Sequence, residues 1–216
     1  MKYIFLLLPI LLLSCKFYTA SNDENSFTVN SNSLLVQDSL FFKQSENNEY
    51  TFALNDPQYS SSKGYTFLNI LESSTVLDEI ECSAVKESGS LSCGYGIAFD
   101  FNSDVDSTAI SNTTFLCVLI RISGEYAIGK VTNGQYNPIY EWTKCSALKT
   151  GVGIDNIMKV SKQEGQWKIT FNDNSDLSIL LSSKSNNSEL LKHGFIVVVS
   201  PNENFPITSV KVRFRV

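Results

Sequence analysis

The dipeptide Asn133-Gly134 constrains this chain more than any other feature. It stands between two runs that alternate large apolar residues with small or polar ones, Tyr126 to Val131 and Tyr136 to Trp142. A two-residue type I′ turn needs φ > 0 at both central positions, and Asn followed by Gly accepts that at little steric cost. The pattern therefore predicts an antiparallel hairpin. Ser123-Gly124 supplies another tight turn just upstream, so Thr114 to Ile122 joins the two runs in a three-stranded meander.

The same alternation of short apolar runs and turn residues fills most of the chain. Leu40 to Phe42, Tyr50 to Leu54, Tyr65 to Leu71, Leu77 to Val85 and Tyr95 to Phe101 precede the meander. Ile157 to Ser161 and Trp167 to Phe171 read as a hairpin across Glu164-Gly165. Leu177 to Leu181 follows a polar turn, Phe195 to Val199 is a continuous apolar run, and Val210 to Val216 closes the chain. In that last run Lys211, Arg213 and Arg215 alternate with Val212, Phe214 and Val216, the pattern of a half-buried strand. Many short strands with turns between them predict an all-β sandwich. Helical periodicity is nearly absent; Ser188 to Lys192 has room for one turn. The length of 216 residues suits one domain with a full core.

The first residues have a different character. Met1-Lys2 leads into an apolar run from Tyr3 to Leu13, then Ser14-Cys15. A basic start, a short apolar stretch and a small residue before the cleavage point are the marks of an export signal. The run is shorter than the ~20 residues a membrane-spanning helix needs. Leu12-Leu13-Ser14-Cys15 resembles the bacterial lipoprotein box, although Leu13 stands where a small or β-branched residue is commoner. The resemblance implies cleavage before Cys15 and acylation of its sulfur and new amino group. It also implies an exported, envelope-anchored protein; Asp after the cysteine would imply inner-membrane retention, and with Lys16 there the address left open is the outer membrane or cell surface. The competing reading is an ordinary secretory signal. The expected organisation is a signal peptide over 1–14, a lipidated Cys15 with a Ser-, Asn- and acid-rich flexible tether over 15–33, and the sandwich over 34–216.

A second resemblance lies further along. Tyr95-Gly96-Ile97-Ala98-Phe99, Phe115 to Ile120, Tyr126-Ala127-Ile128-Gly129-Lys130, Asn133-Gly134, Trp142-Thr143 and Ala147-Leu148-Lys149-Thr150-Gly151 come in a characteristic order. Asn156-Ile157-Met158-Lys159-Val160 and Gly194-Phe195 continue it. Together they resemble bacterial concanavalin A-like lectin/glucanase domains of the laminin G-like kind, from about Leu77 to Val216. The implied fold is a concanavalin A-like antiparallel β-sandwich, a jelly roll. The implied functions are several, since the fold hosts lectins, glycan-processing enzymes and exported proteins of other roles.

Charge and chemistry narrow these functions. The net charge is −5 at pH 7 and the one basic cluster, Lys211, Arg213 and Arg215, alternates along a strand, which disfavours a nucleic-acid partner. A glycosidase needs two carboxyl groups flanking one bond. The nearest pair, Glu79 and Glu81, shares one strand face but departs from the Glu-x-Asp-x-x-Glu spacing of the glucanases, and a solvated surface is the plainer reading. Asp100, Asn102, Asp104 and Asp106 offer calcium the oxygen ligands it takes, as a rim loop does in some laminin G-like domains; Asp and Asn also simply form turns. Asn172, Asp173, Asn174 and Asp176 repeat the theme at a hairpin. No other cofactor is expected.

Strict alternation would put Tyr136, Pro138, Tyr140 and Trp142 on one face of their strand. Facing outward they are an aromatic shelf for sugar rings, with Tyr136, Tyr140 and Trp142 as contacts. Facing inward they are core, which is the stronger reading, with one or two rings at the rim. Cys82, Cys93, Cys117 and Cys145 remain after Cys15. In an oxidising compartment chain proximity favours Cys82 with Cys93 and Cys117 with Cys145; buried free thiols are the alternative. The sum of these readings is an envelope lipoprotein whose domain binds carbohydrate without catalysis. The alternatives are a polysaccharide hydrolase or a protein-binding surface antigen or adhesin.

Overall fold

The computed structural model describes residues 16–18, 35–37, 40–44, 49–54, 65–77, 79–101, 114–132, 135–182, 190–199 and 208–215. All of their regular structure is β. The strands are β1 (Lys16–Tyr18), β2 (Leu35–Gln37), β3 (Leu40–Gln44), β4 (Glu49–Leu54), β5 (Tyr65–Leu77), β6 (Glu79–Ser88) and β7 (Tyr95–Phe99). The meander follows as β8 (Thr114–Arg121), β9 (Glu125–Thr132) and β10 (Gln135–Lys144). Then come β11 (Asp155–Gln163), β12 (Gln166–Phe171), β13 (Asn174–Ser182), β14 (Leu190–Val199) and β15 (Thr208–Arg215).

They form two sheets. One has seven strands in the order β1-β5-β14-β7-β8-β9-β10, the other eight in the order β13-β12-β11-β6-β15-β4-β3-β2. Pairing is antiparallel except for β1, which runs parallel to β5. The expected meander is present: Thr132 pairs with Gln135, so β9 and β10 meet across the Asn-Gly dipeptide, which itself lies outside the described residues. Glu164 and Gly165 turn β11 into β12 with φ of 48° and 76°, the left-handed backbone such a turn requires.

Two differences from expectation stand out. Leu190 to Lys192, where a helical turn had room, belongs to β14 and pairs along β5. Lys16–Tyr18, expected within the tether, forms β1 against Tyr65–Phe67; residues 19–34 lie outside the described set.

The main core fills the space between the sheets. Tyr95, Ile97 and Phe99 of β7, Val118 and Ile120 of β8, and Phe195 and Val197 of β14 meet Tyr50, Phe52, Met158, Trp167, Val212 and Phe214 from the other sheet. Phe52 meets Phe195 edge-on at 5.2 Å, and Phe99 meets Trp167 at 5.3 Å. Residues of opposite parity, Ala98, Phe115, Cys117, Leu119, Val131 and Ile196, make a second buried cluster on the far face of the seven-stranded sheet, with Phe101 stacked on Phe115. Its central strands are thus buried on both faces, which is why Phe195 to Val199 reads as an unbroken apolar run.

Candidate functional site

β10 ends the seven-stranded sheet and pairs with β9 alone, leaving its other edge unpaired among the described residues. Residues 135–141 of β10 are exposed, so the reading of this ribbon as the centre of the sandwich does not hold. The centre is β7 and β8, and β10 is the rim. Tyr136 is 36% exposed and Tyr140 39%, whereas Trp142 is half-buried against the second cluster.

The strict alternation expected along this ribbon is broken twice. Register shifts fall between Pro138 and Tyr140 and between Tyr140 and Thr143. Proline has no amide hydrogen to donate, which confines it to edges and bulges, and each bulge moves the following residues to the other face. Tyr136 pairs with Val131 and Pro138 with Gly129, so both share the outer face with the second cluster. Tyr140 pairs with Ile128, whose side chain belongs to the inter-sheet core, and so turns the other way. Trp142 returns to the outer face. The structure therefore brings Tyr136 and Trp142 together on one side and does not bring Tyr140 with them.

Both outer rings are seated on glycines. A Cβ on Gly129 would lie 2.2 Å from the Tyr136 ring, and a Cβ on Gly94 would lie 2.6 Å from the far end of the Trp142 indole. The Arg121 guanidinium stacks on the indole at 3.8 Å from its centroid, and Arg121 is itself held by Glu125 at 3.3 Å. Gly94, Arg121 and Gly129 were not among the expected site residues. Gly129 carried a readable signal, because an isolated glycine inside a strand marks close approach of another group.

The remaining expected residues take other places. Glu79 and Glu81 share one face of β6, as expected, but that face is the outer one of the eight-stranded sheet. Lys159 bridges them at 3.0 Å each, and Arg215 reaches Glu81 at 2.9 Å. Burial alone would raise the Glu81 carboxyl, but hydrogen bonds and charge from Lys159 and Arg215 hold it below the ordinary range. A carboxylate stabilised in this way is the opposite of a general acid. Asp100, in left-handed backbone with φ of 54°, accepts the Trp167 indole N–H at 3.2 Å. Asn102, Asp104 and Asp106 lie outside the described residues.

At the second acidic loop Asn172 accepts the Ile157 amide at 2.8 Å and donates to the Ala147 carbonyl at 2.7 Å; with Asp173 it turns the β12–β13 hairpin through two positive φ angles.

The four described cysteines are free thiols, so the expected pairs Cys82–Cys93 and Cys117–Cys145 are not formed. The sheet itself keeps the second pair apart: Cys117 belongs to the cluster on its far face, whereas Cys145 packs against the inter-sheet core. Cys82 is likewise in that core, whereas Cys93 sits in the β6–β7 connection. Burial pushes the Cys117 thiol up to about 12, which makes it inert at neutral pH.

No protein-family model matches the sequence, and no curated protein matches it. Solved structures are similar in fold. A glycoside hydrolase family 16 endo-glucanase from Bacteroides ovatus superposes with a TM-score of 0.52 at 8% identity, covering 82% of this chain and 84% of that one. The catalytic domain of an endo-1,3-β-glucanase (laminarinase) from Thermotoga petrophila gives 0.50 at 10% identity, over 83% of this chain and 79% of that one. At such identities the likeness concerns the fold, and the chain has the concanavalin A-like jelly-roll β-sandwich that its sequence resembles.

Proposed function

We propose that the protein is an exported, lipid-anchored binding module whose ligand is a carbohydrate held on the outer face of β10. The observation that carries the reading is the seating of Tyr136 and Trp142. Each ring lies against a glycine on an edge strand; Tyr136 leaves ring surface to solvent, and Trp142 is half-buried with the Arg121 guanidinium over its ring. Sugar rings pack on such surfaces through their apolar C–H faces, at roughly 1 kcal/mol per platform. Tyr140 supplies a ring at the other face of the same edge. The anchoring part of the proposal rests on the lipoprotein box ending at Cys15.

The glucans cleaved by enzymes of this fold are the first probes to try. Calorimetric titration with laminarin and mixed-linkage glucan oligosaccharides should show saturable binding that falls by about tenfold in Tyr136→Ala and in Trp142→Ala. Absence of heat with every saccharide tested would refute the reading. The hydrolase alternative is disfavoured by Glu79 and Glu81, whose carboxylates are committed to Lys159 and Arg215 on the opposite sheet.

A further inference from the structure

Among the described residues, Leu91, Val152 and Ile154 are the exposed large apolar residues of the connecting loops, at 49%, 49% and 37% exposure. Leu91 lies between β6 and β7, and the other two lie between β10 and β11. Hydrogen bonds tie these loops into one rim. The Gly153 amide donates to the Lys86 carbonyl at 2.8 Å, and the Gly151 amide to that of Ile122 at 2.9 Å. Lys86 is buried, and its ammonium group donates to the carbonyls of Ser90 and, at 2.9 Å, Cys93, so it clamps the turn that carries Leu91. Lysine is seldom buried, and here it fixes the shape of a loop whose tip is apolar.

The register of the seven-stranded sheet shows which end this is. Lys16 pairs with Tyr65, and Tyr65 with Val199. The neighbouring Val198 amide donates to Gly94 at 2.9 Å. Tyr95 pairs with Ile120, Arg121 with Glu125, and Glu125 with Lys144. Lys16, the β6–β7 turn, the Ser123-Gly124 turn and the loop after Lys144 therefore share one end of the sandwich. In the chain Lys16 directly follows Cys15.

We infer that this rim, at the end of the sandwich where β1 begins, rests on the lipid surface, with Leu91, Val152 and Ile154 dipping into the interface. The inference rests on the lipidation proposed above. Lysines 144 and 149 are exposed at this end, but so is Asp173, while Asp155 bonds to Ser83 and Glu125 pairs with Arg121. The contact is therefore apolar rather than a selection for anionic headgroups. It also orients the ribbon: β10 runs down toward the membrane, so Tyr136 stands at the outward end and Trp142 nearer the lipid.

Bimane placed at Val152→Cys and, at the opposite end, at Glu164→Cys tests this on the full, processed protein in phosphatidylethanolamine/phosphatidylglycerol vesicles. Signal from the natural thiols is subtracted with the unsubstituted protein. A doxyl-labelled phospholipid should quench the label at 152 about fivefold more than that at 164. Equal quenching of the two, or quenching of neither, overturns the inference when mass spectrometry shows Cys15 acylated. An unacylated Cys15 overturns the anchoring proposal and this inference with it, and the mass alone separates the two failures.

Discussion

β8 and β6 each lie in the middle of a sheet, yet β8 is buried on both faces and β6 on only one. Phe115, Cys117 and Leu119 turn to the second cluster while Val118 and Ile120 enter the inter-sheet core. On β6 the polar residues facing away from the core, Glu79, Glu81, Ser83 and Glu87, meet Lys159, Arg215, Asp155 and Lys211. The difference teaches how packing and charge are divided between the two sheets. The seven-stranded sheet is held by packing and ends in an aromatic edge, whereas the outer face of the other sheet is a self-compensated lattice of charges. Exposed ion pairs of that kind contribute ~0–1 kcal/mol each, so the lattice keeps the sheet soluble more than it holds it together.

Substitutions can break or sharpen this contrast. The largest effect is expected at the core that both sheets share: Phe195→Ala, which strips a ring packed against Tyr50, Phe52 and Phe214, should cost about 3–5 kcal/mol in urea unfolding. Acid should act on the same strand. His193 is buried, faces Phe214 at 5.1 Å, and its Nδ1 has no hydrogen-bond partner among the described residues; burial lowers its pKa to about 4. The unfolded side chain titrates near 6.5, so this contribution is full above that pH and is lost as pH falls toward 4, by up to about 3 kcal/mol. A His193→Leu variant should flatten that part of the pH–stability curve.

Next in size is Lys86→Met, which leaves the Ser90 and Cys93 carbonyls without their donor and should cost about 1–3 kcal/mol by thermal unfolding. The smallest effect belongs to the charged face, where Glu79→Gln should change stability by less than about 0.5 kcal/mol. A larger loss there would mean that the lattice carries structural weight.

Strand positions were legible because burial writes itself into sequence period. Lys211, Arg213 and Arg215 alternate with buried residues, and Phe195 to Val199 does not alternate at all. The face of each ring on β10 was not legible, since two bulges reset the parity and only pairing with β9 reveals them. Asp100 and Asn172 could be read as calcium ligands or as turn formers because carboxylates and amides suit both; the partners they take, Trp167 and Ile157, lie 67 and 15 residues away in sequence. The cysteines misled for a related reason. Closeness in the chain cannot tell which face of a sheet a thiol occupies, and Cys117 and Cys145 lie against different cores.

The central claim is that the outer face of β10 is a ligand platform, and Gly129→Ala tests it most directly. The added methyl group pushes the Tyr136 phenol off its seat, and the three atoms nearest to it all belong to the movable end of that side chain, so every aromatic ring stays in the protein. Calorimetric titration with a bound glucan oligosaccharide should show an affinity about tenfold weaker, with the thermal midpoint nearly unchanged. An affinity equal to that of the unsubstituted protein would contradict the account.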